Sequence, residues 1–262
     1  MFTFISMKRL IYIIFALLPF VAQAQSSGRG PENGQLMLAD PYVLEADGWY
    51  YIYGTHAADG IVVYRSKDLK KWSDRCGNAK NKLALHKDDV WGEKWFWAPE
   101  VYIIDGKYYM NYTAEERICV ATANTPKGPF KQVEKVSMLP NEHAIDNTLF
   151  IDDNGTPYLF YVHIKNGFHI KVAELERDYM TIKRNTITHC IKPKQRWEQV
   201  EGKVNEGPSI IKHNGTYFLL YSGNGYKSQK YGIGCATAKS IRGPWRKLAE
   251  NPIFQFPKGL VG

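Results

Sequence analysis

The sequence predicts an all-β fold, a β-propeller with about four blades present in the chain. Three observations predict it: a segment that recurs four times, an Asp-Gly or Asn-Gly pair inside each copy, and copies that start 58, 48 and 60 residues apart. Four-stranded units of about 40–60 residues mark propeller blades. A chain of 262 residues suits one large all-β domain.

Residues 1–24 precede the repeats and read as a secretory signal peptide. Lys8 and Arg9 lead an apolar run from Leu10 to Val21, and Ala22-Gln23-Ala24 is a small-residue cleavage site. Cleavage is expected after Ala24, with a secreted or periplasmic product. Residues 25–35 read as a flexible N-terminal segment and 36–262 as the propeller domain. No later stretch approaches 18 consecutive apolar residues, so no membrane span is expected.

The first copy starts at Asp40 and ends at Tyr53. The others run from Ala98 to Tyr112, Asp146 to Tyr161 and Glu206 to Tyr221. Each reads as a strand, a two-residue turn and an aromatic-rich strand. The turns are Asp47-Gly48, Asp105-Gly106, Asn154-Gly155 and Asn214-Gly215. Such pairs favour hairpins because both turn positions need positive φ. Third strands are expected at Ile61–Arg65, Ile118–Thr122, His169–Ala173 and Gly232–Thr237. Closing segments are marked by Trp72, Phe130 and Trp245, so each unit is expected to hold four strands. The lead-in to the second blade, 78–96, is long enough to wall off a pocket. There Trp91 and Trp95 either form sugar subsites or simply pack. No amphipathic helix is evident.

Composition bounds the function. Aromatic residues make up 14% of the chain, with 17 Tyr and 7 Trp, and serve equally as strand formers or as platforms for sugar rings. The net charge of +8 suits an acidic polysaccharide or a mildly basic solvated surface. No basic run is interleaved with aromatics, so no nucleic-acid partner is expected. Cys76, Cys119, Cys190 and Cys235 form neither a CxxC pair nor a zinc pattern. Cys119 and Cys235 fall inside strand-like runs and read as buried free thiols.

The carboxylates carry the chemistry. The inner strands of a propeller line its channel, and the repeats begin with Asp40, Ala98, Asp146 and Glu206. A lone acid there reads as a turn cap or a surface ion-pair partner. Three at one address read as a site, because converging like charges repel and push pKa values apart. Hydrolysis of a glycosidic bond uses that separation: one carboxylate activates water, a protonated one serves the leaving oxygen, and a third tunes the acid. In the inverting arrangement the acid and base stand about 6.5–9.5 Å apart.

These motifs resemble glycoside hydrolase family 43, five-bladed propellers that include α-L-arabinofuranosidases, β-xylosidases and arabinanases. The resemblance rests on Ala39-Asp40-Pro41, Trp97-Ala98-Pro99-Glu100, Ala144-Ile145-Asp146 and Asn205-Glu206-Gly207-Pro208. It implies Asp40 as general base, Glu206 as general acid, and Asp146 as the group that raises the acid's pKa and orients it. Trp97 resembles an aromatic of the sugar pocket, with packing between blades as the other reading. His56, at the end of the second strand, either faces the channel mouth or lies on the surface. The related invertase and fructosidase propellers are disfavoured, because Leu38-Ala39-Asp40-Pro41-Tyr42 stands in place of their first-blade motif.

No cofactor is required by this chemistry. In family members a Gly-x-Gly-His segment on the fifth blade commonly holds a channel metal, such as calcium, or a water. The chain has no such segment after Phe256. A C-terminally truncated chain without its fifth blade is therefore expected, with low solubility or association. The expected partner is a carbohydrate, and the oligomeric state is not assigned. The expected activity is exo-release of arabinofuranose or xylose from plant cell-wall polysaccharide. The alternatives are an inactive or glycan-binding remnant and an endo-acting arabinanase.

Overall fold

The computed structural model describes residues 36–255. The expected signal peptide, the 25–35 segment and residues 256–262 lie outside that range. Within it the chain forms four antiparallel sheets. The first holds β1 (Ala39–Ala46), β2 (Trp49–Ala57), β3 (Gly60–Ser66) and β4 (Leu85–His86) in sequence order. The second holds β5 (Trp97–Ile104), β6 (Lys107–Ala114) and β7 (Arg117–Ala123). The third holds β8 (Ala144–Ile151), β9 (Pro157–Ile164), β10 (Phe168–Glu174) and β11 (Thr188–Ile191). The fourth holds β12 (Asn205–His213), β13 (Thr216–Gly223), β14 (Gly232–Ala238) and β15 (Arg246–Lys247), and β16 (Phe254–Gln255) also pairs with β14. Helix is confined to short 3-10 turns among the described residues, and no helix is long and apolar enough to cross a membrane. These are the four expected propeller blades. Inner strands touch in order, β1 with β5, β5 with β8 and β8 with β12.

The hydrophobic cores lie between blades. Tyr53, Ile61 and Val63 of the first sheet pack with Val101, Met110 and Tyr112 of the second. Ile118 of the second packs with Leu149, Leu159 and Tyr161 of the third. Phe160 and Val172 of the third pack with Leu219 and Tyr221 of the fourth. A sheet covered on both faces needs near-continuous apolar strands, as in β3 and β9. The last residue of each repeat, Tyr53, Tyr112, Tyr161 and Tyr221, is at most 1% exposed, so the repeat marks the packing layer. All four cysteines are free, and Cys119 and Cys235 are buried as expected.

Three expectations need correction. First, Asn154-Gly155 is not a two-residue turn. It lies in a five-residue loop, because Ile151 pairs with Pro157. The Asn154 side chain accepts the Thr156 N–H (2.9 Å) instead of adopting the left-handed backbone of Asp47, Asp105 and Asn214. Second, not every blade has a fourth strand. The second sheet has three, with only an isolated bridge between Thr122 and Lys131 beside Phe130. Third, the 78–96 segment is not solely a lead-in to the second blade. Its residues Leu83, Ala84 and Leu85 are fully buried, and β4 within it closes the first blade beyond Trp72. Trp91 packs on the core between the first two blades, whereas Trp95 stays exposed.

Each inner strand begins with a bulge. Pairing is interrupted between Ala39 and Tyr42, Trp97 and Glu100, Ile145 and Thr148, and Glu206 and Ser209. Within the interruption Asp40, Ala98, Asp146 and Gly207 adopt left-handed φ of 50°, 47°, 52° and 56°. Pro41, Pro99 and Pro208 follow, in unpaired positions that need no ladder donor. The register therefore aligns Gly207, not Glu206, with Asp40 and Asp146. Glu206 stands one residue earlier, level with Ala39, Trp97 and Ile145.

The fourth blade shows how tightly the sheets are fitted. Trp197 stacks on Tyr221 with centroids 6.0 Å apart, over Gly234. A Cβ at Gly234 would lie 2.6 Å from Tyr221 Cζ and 2.8 Å from Trp197 Cζ2. Gly234→Ala is expected to destabilise the chain by about 1–3 kcal/mol, the usual cost of overpacking, read as a lower denaturation midpoint.

Candidate active site

The bulges bring the acids together and link the blades. Thr55, opposite Ala39 on β2, donates its O–H to Asp40 Oδ2 at 2.6 Å. Thr55 Oγ1 in turn accepts the Ala98 N–H at 2.9 Å, from the bulge of the next blade. Thr113, opposite Trp97, accepts the Asp146 N–H at 3.1 Å in the same way. In the third blade the equivalent residue is Val162, opposite Ile145, which has no hydroxyl. There Asp146 takes over: its Oδ2 accepts the Gly207 N–H at 3.0 Å. Asp146 is thereby tied to the backbone beside Glu206. Tyr231 donates to Glu206 Oε1 at 2.7 Å.

Electrostatics couples these acids. Burial pushes the Asp146 carboxyl well above the ordinary carboxylate range, helped by the charges of Glu206 and Asp40 and opposed by the Gly207 N–H. Burial likewise raises Glu206 to about 7, opposed by the Tyr231 hydroxyl and helped by Asp40. The two titrate as a pair. Asp40 is exposed, and Asp146 and Glu206 are half-buried. The site thus combines one carboxyl open to water with two whose pKa values are raised by burial and mutual repulsion.

The other expected residues fare differently. Trp97 is half-buried and stacks on exposed Trp95, centroids 5.8 Å apart and planes 16° apart. It forms an aromatic pair beside the bulge at Ala98 and is not one of the residues packed on the neighbouring core, as Trp91 is. His56 is exposed at the end of β2, with its pKa lowered by partial burial and by Arg75. It makes no hydrogen bond to the three acids.

Thr55, Thr113, Tyr231 and Glu100 were not singled out by sequence. Glu100 is a further carboxyl near Asp146, hydrogen-bonded by the Tyr102 hydroxyl and raised in pKa by burial. Its signal was its place two residues past the bulge residue of the second blade. Tyr231 lies in the loop between β13 and β14 and carried no motif. Among the described residues no group of three or more His, Cys, Asp or Glu has metal-holding geometry.

Comparison with known proteins matches residues 34–258 to the family model described as glycosyl hydrolases family 43. The chain is 28% identical over 238 residues to an extracellular exo-α-(1→5)-L-arabinofuranosidase of Streptomyces avermitilis, spanning 83% of this chain and 48% of that protein. It is 26% identical over 242 residues to an extracellular endo-α-(1→5)-L-arabinanase of Bacillus subtilis, spanning 86% and 71%. Among solved structures it is similar to an endo-1,4-β-xylanase from Bacteroides thetaiotaomicron, at 45% identity and a TM-score of 0.78, spanning 85% of this chain and 76% of that one. The chain thus spans about half the length of the first arabinofuranosidase relative.

The raised Glu206 carboxyl has a consequence for stability. Its folded pKa exceeds its unfolded value, so folding disfavours the anion. Stability is full below the ordinary Glu value of 4.5 and falls as pH rises towards about 7. Glu206→Gln is expected to melt with the native chain near pH 4. At pH 8 it should be more stable by about 2–3 kcal/mol, in denaturant titrations at the two pH values.

Proposed function

The chain belongs to glycosyl hydrolases family 43, and on that footing we propose that it is an inverting glycoside hydrolase releasing arabinofuranose or xylose from plant cell-wall polysaccharides or oligosaccharides. The observation that carries the reading is the hydrogen-bonded, mutually repelling set Asp40, Asp146 and Glu206, with two carboxyls held above their ordinary pKa.

Each residue takes one role. Glu206, protonated near neutral pH and steadied by Tyr231, donates its proton to the leaving glycosidic oxygen. Asp40 faces water. Thr55 occupies one of its oxygens and leaves the other to take a proton from the attacking water. Asp146 repels the Glu206 carboxyl, so that the pair keeps a proton to higher pH, and orients Glu206 by holding the Gly207 N–H. The Trp97–Trp95 pair offers a ring face for a sugar, and His56 serves at the channel mouth. The sugar and its linkage come from the relatives' names, the acid–base roles from the residues' environment.

A second reading, endo-cleavage of arabinan, is favoured by the exposure of Trp95 beyond Trp97 and by the endo-acting relatives. Product length from a linear polymer separates the two. Secretion with cleavage after Ala24 agrees with relatives named extracellular. An exported chain whose intact mass begins at Gln25 meets that expectation, and one that retains Met1 overturns it.

The roles have distinct kinetic signatures. As the acid must be protonated, kcat/KM is expected to fall as pH rises through about 7. Glu206→Gln is expected to lose roughly 10²–10⁴-fold on an oligosaccharide and much less on a 4-nitrophenyl glycoside, whose leaving group needs little protonation. Asp40→Asn should fail on both substrates. Proton NMR of the first-formed sugar reads the stereochemistry, and an anomer retaining the substrate's configuration overturns the inverting assignment.

A further inference from the structure

Behind Glu206 lies a buried ionic network with no part in the chemistry described so far. Glu198, in the 3-10 turn Arg196–Gln199, is 0% exposed. Four donors surround its carboxylate. Oε2 accepts the backbone N–H groups of Lys194 (2.7 Å) and Gln195 (2.8 Å). Oε1 accepts the Tyr221 hydroxyl (2.7 Å) and the ammonium of Lys247. Lys247 Nζ also donates to the Lys192 carbonyl (2.8 Å) and to Asn205 Oδ1 (2.8 Å). Asn205 is itself fully buried, and its amide donates to the Val204 carbonyl at 2.8 Å.

The network therefore ends on the residue before Glu206. Neighbouring side chains of a strand point to opposite faces. Anchoring Asn205 inside the blade fixes the rotation of β12 at its first residue, and that rotation sets where Glu206 points. The other restraints on Glu206 are single contacts, Tyr231 on its carboxyl and Asp146 on the next N–H.

Stability is a poor reason to keep such a pair. Burying two charges costs desolvation that an apolar pair of equal volume avoids, so buried ion pairs add little to folding free energy. A directional anchor needs charge-assisted hydrogen bonds, which hold geometry as apolar contacts do not.

We propose that the Glu198–Lys247 pair, acting through Asn205, is a positioning device that aims Glu206 into the channel. The proposal rests on the reading of Glu206 as general acid. Two variants of the full chain test it, with Glu206→Gln alongside. Lys247→Met removes the ammonium. Asn205→Leu cuts the last link and leaves the ion pair intact, so it decides the question if Lys247→Met does not fold.

The expected result on an oligosaccharide is a fall in kcat on the order of 10–100-fold with KM retained, in both variants. The basic limb of the pH–rate profile should also move to lower pH, because a carboxyl free to turn towards water loses its raised pKa. Thermal denaturation of Asn205→Leu should stay near the native midpoint. A folded Asn205→Leu with native kcat and an unmoved basic limb overturns the proposal. So does a loss of activity that follows lost stability and leaves the limb in place. Activity that survives Glu206→Gln overturns the acid assignment, and the positioning role with it. Loss in Glu206→Gln with a native Asn205→Leu overturns the positioning role alone.

Discussion

A left-handed residue at the head of each inner strand is the constraint on which the rest depends. An L-residue there costs roughly 1–2 kcal/mol of backbone strain. Three of the four positions accept that cost, at Asp40, Ala98 and Asp146, and only Gly207 avoids it. The return is geometric. A left-handed bulge turns a backbone N–H out of its own ladder and towards the preceding blade, where Thr55, Thr113 or Asp146 receives it. The side chain at the same residue is released from strand alternation. One local distortion thus joins neighbouring blades and points carboxylates at a common space.

The acids are held by a few polar contacts and not by countercharges. Hydroxyls of Thr55 and Tyr231 and the N–H of Gly207 satisfy single oxygens. None of the three acids forms an ion pair among the described residues. A lysine or arginine at this spot would stabilise the anions and lower the pKa values that acid catalysis uses. The most deeply buried pairing of opposite charges among the described residues lies one layer away, in the Glu198–Lys247 network, where it does not neutralise the site.

Much of the fold was legible because its signals are local. Asp47-Gly48, Asp105-Gly106 and Asn214-Gly215 mark hairpins since both residues take positive φ. The third turn escaped because Asn154 uses its side chain instead, a choice the dipeptide does not encode. The acids were found by their repeat position, yet the overlay was one residue out at Glu206. Asp40 and Gly207 share the bulge, and a carboxylate pattern alone aligns to the nearest acid. Partners brought in by tertiary distance left no trace in the pattern. Tyr231 sits 25 residues from Glu206, and Lys247 sits 49 from Glu198. The closing strand of the first blade was missed for a similar reason: Trp72 looked like the mark of an edge that Leu85–His86 completes.

Ala98 holds the same backbone as Asp40 and Asp146 and carries only a methyl group. Shape and reactivity are therefore inherited separately in this scaffold. The bulge, its N–H and the receiving group join neighbouring blades. The side chain mounted on the bulge can vary without disturbing them where a hydroxyl receives the next N–H, as at Ala98, but not at Asp146, whose carboxylate is itself the receiver. Where a hydroxyl makes the link, a carboxylate on the bulge is an addition that chemistry uses and assembly does not require.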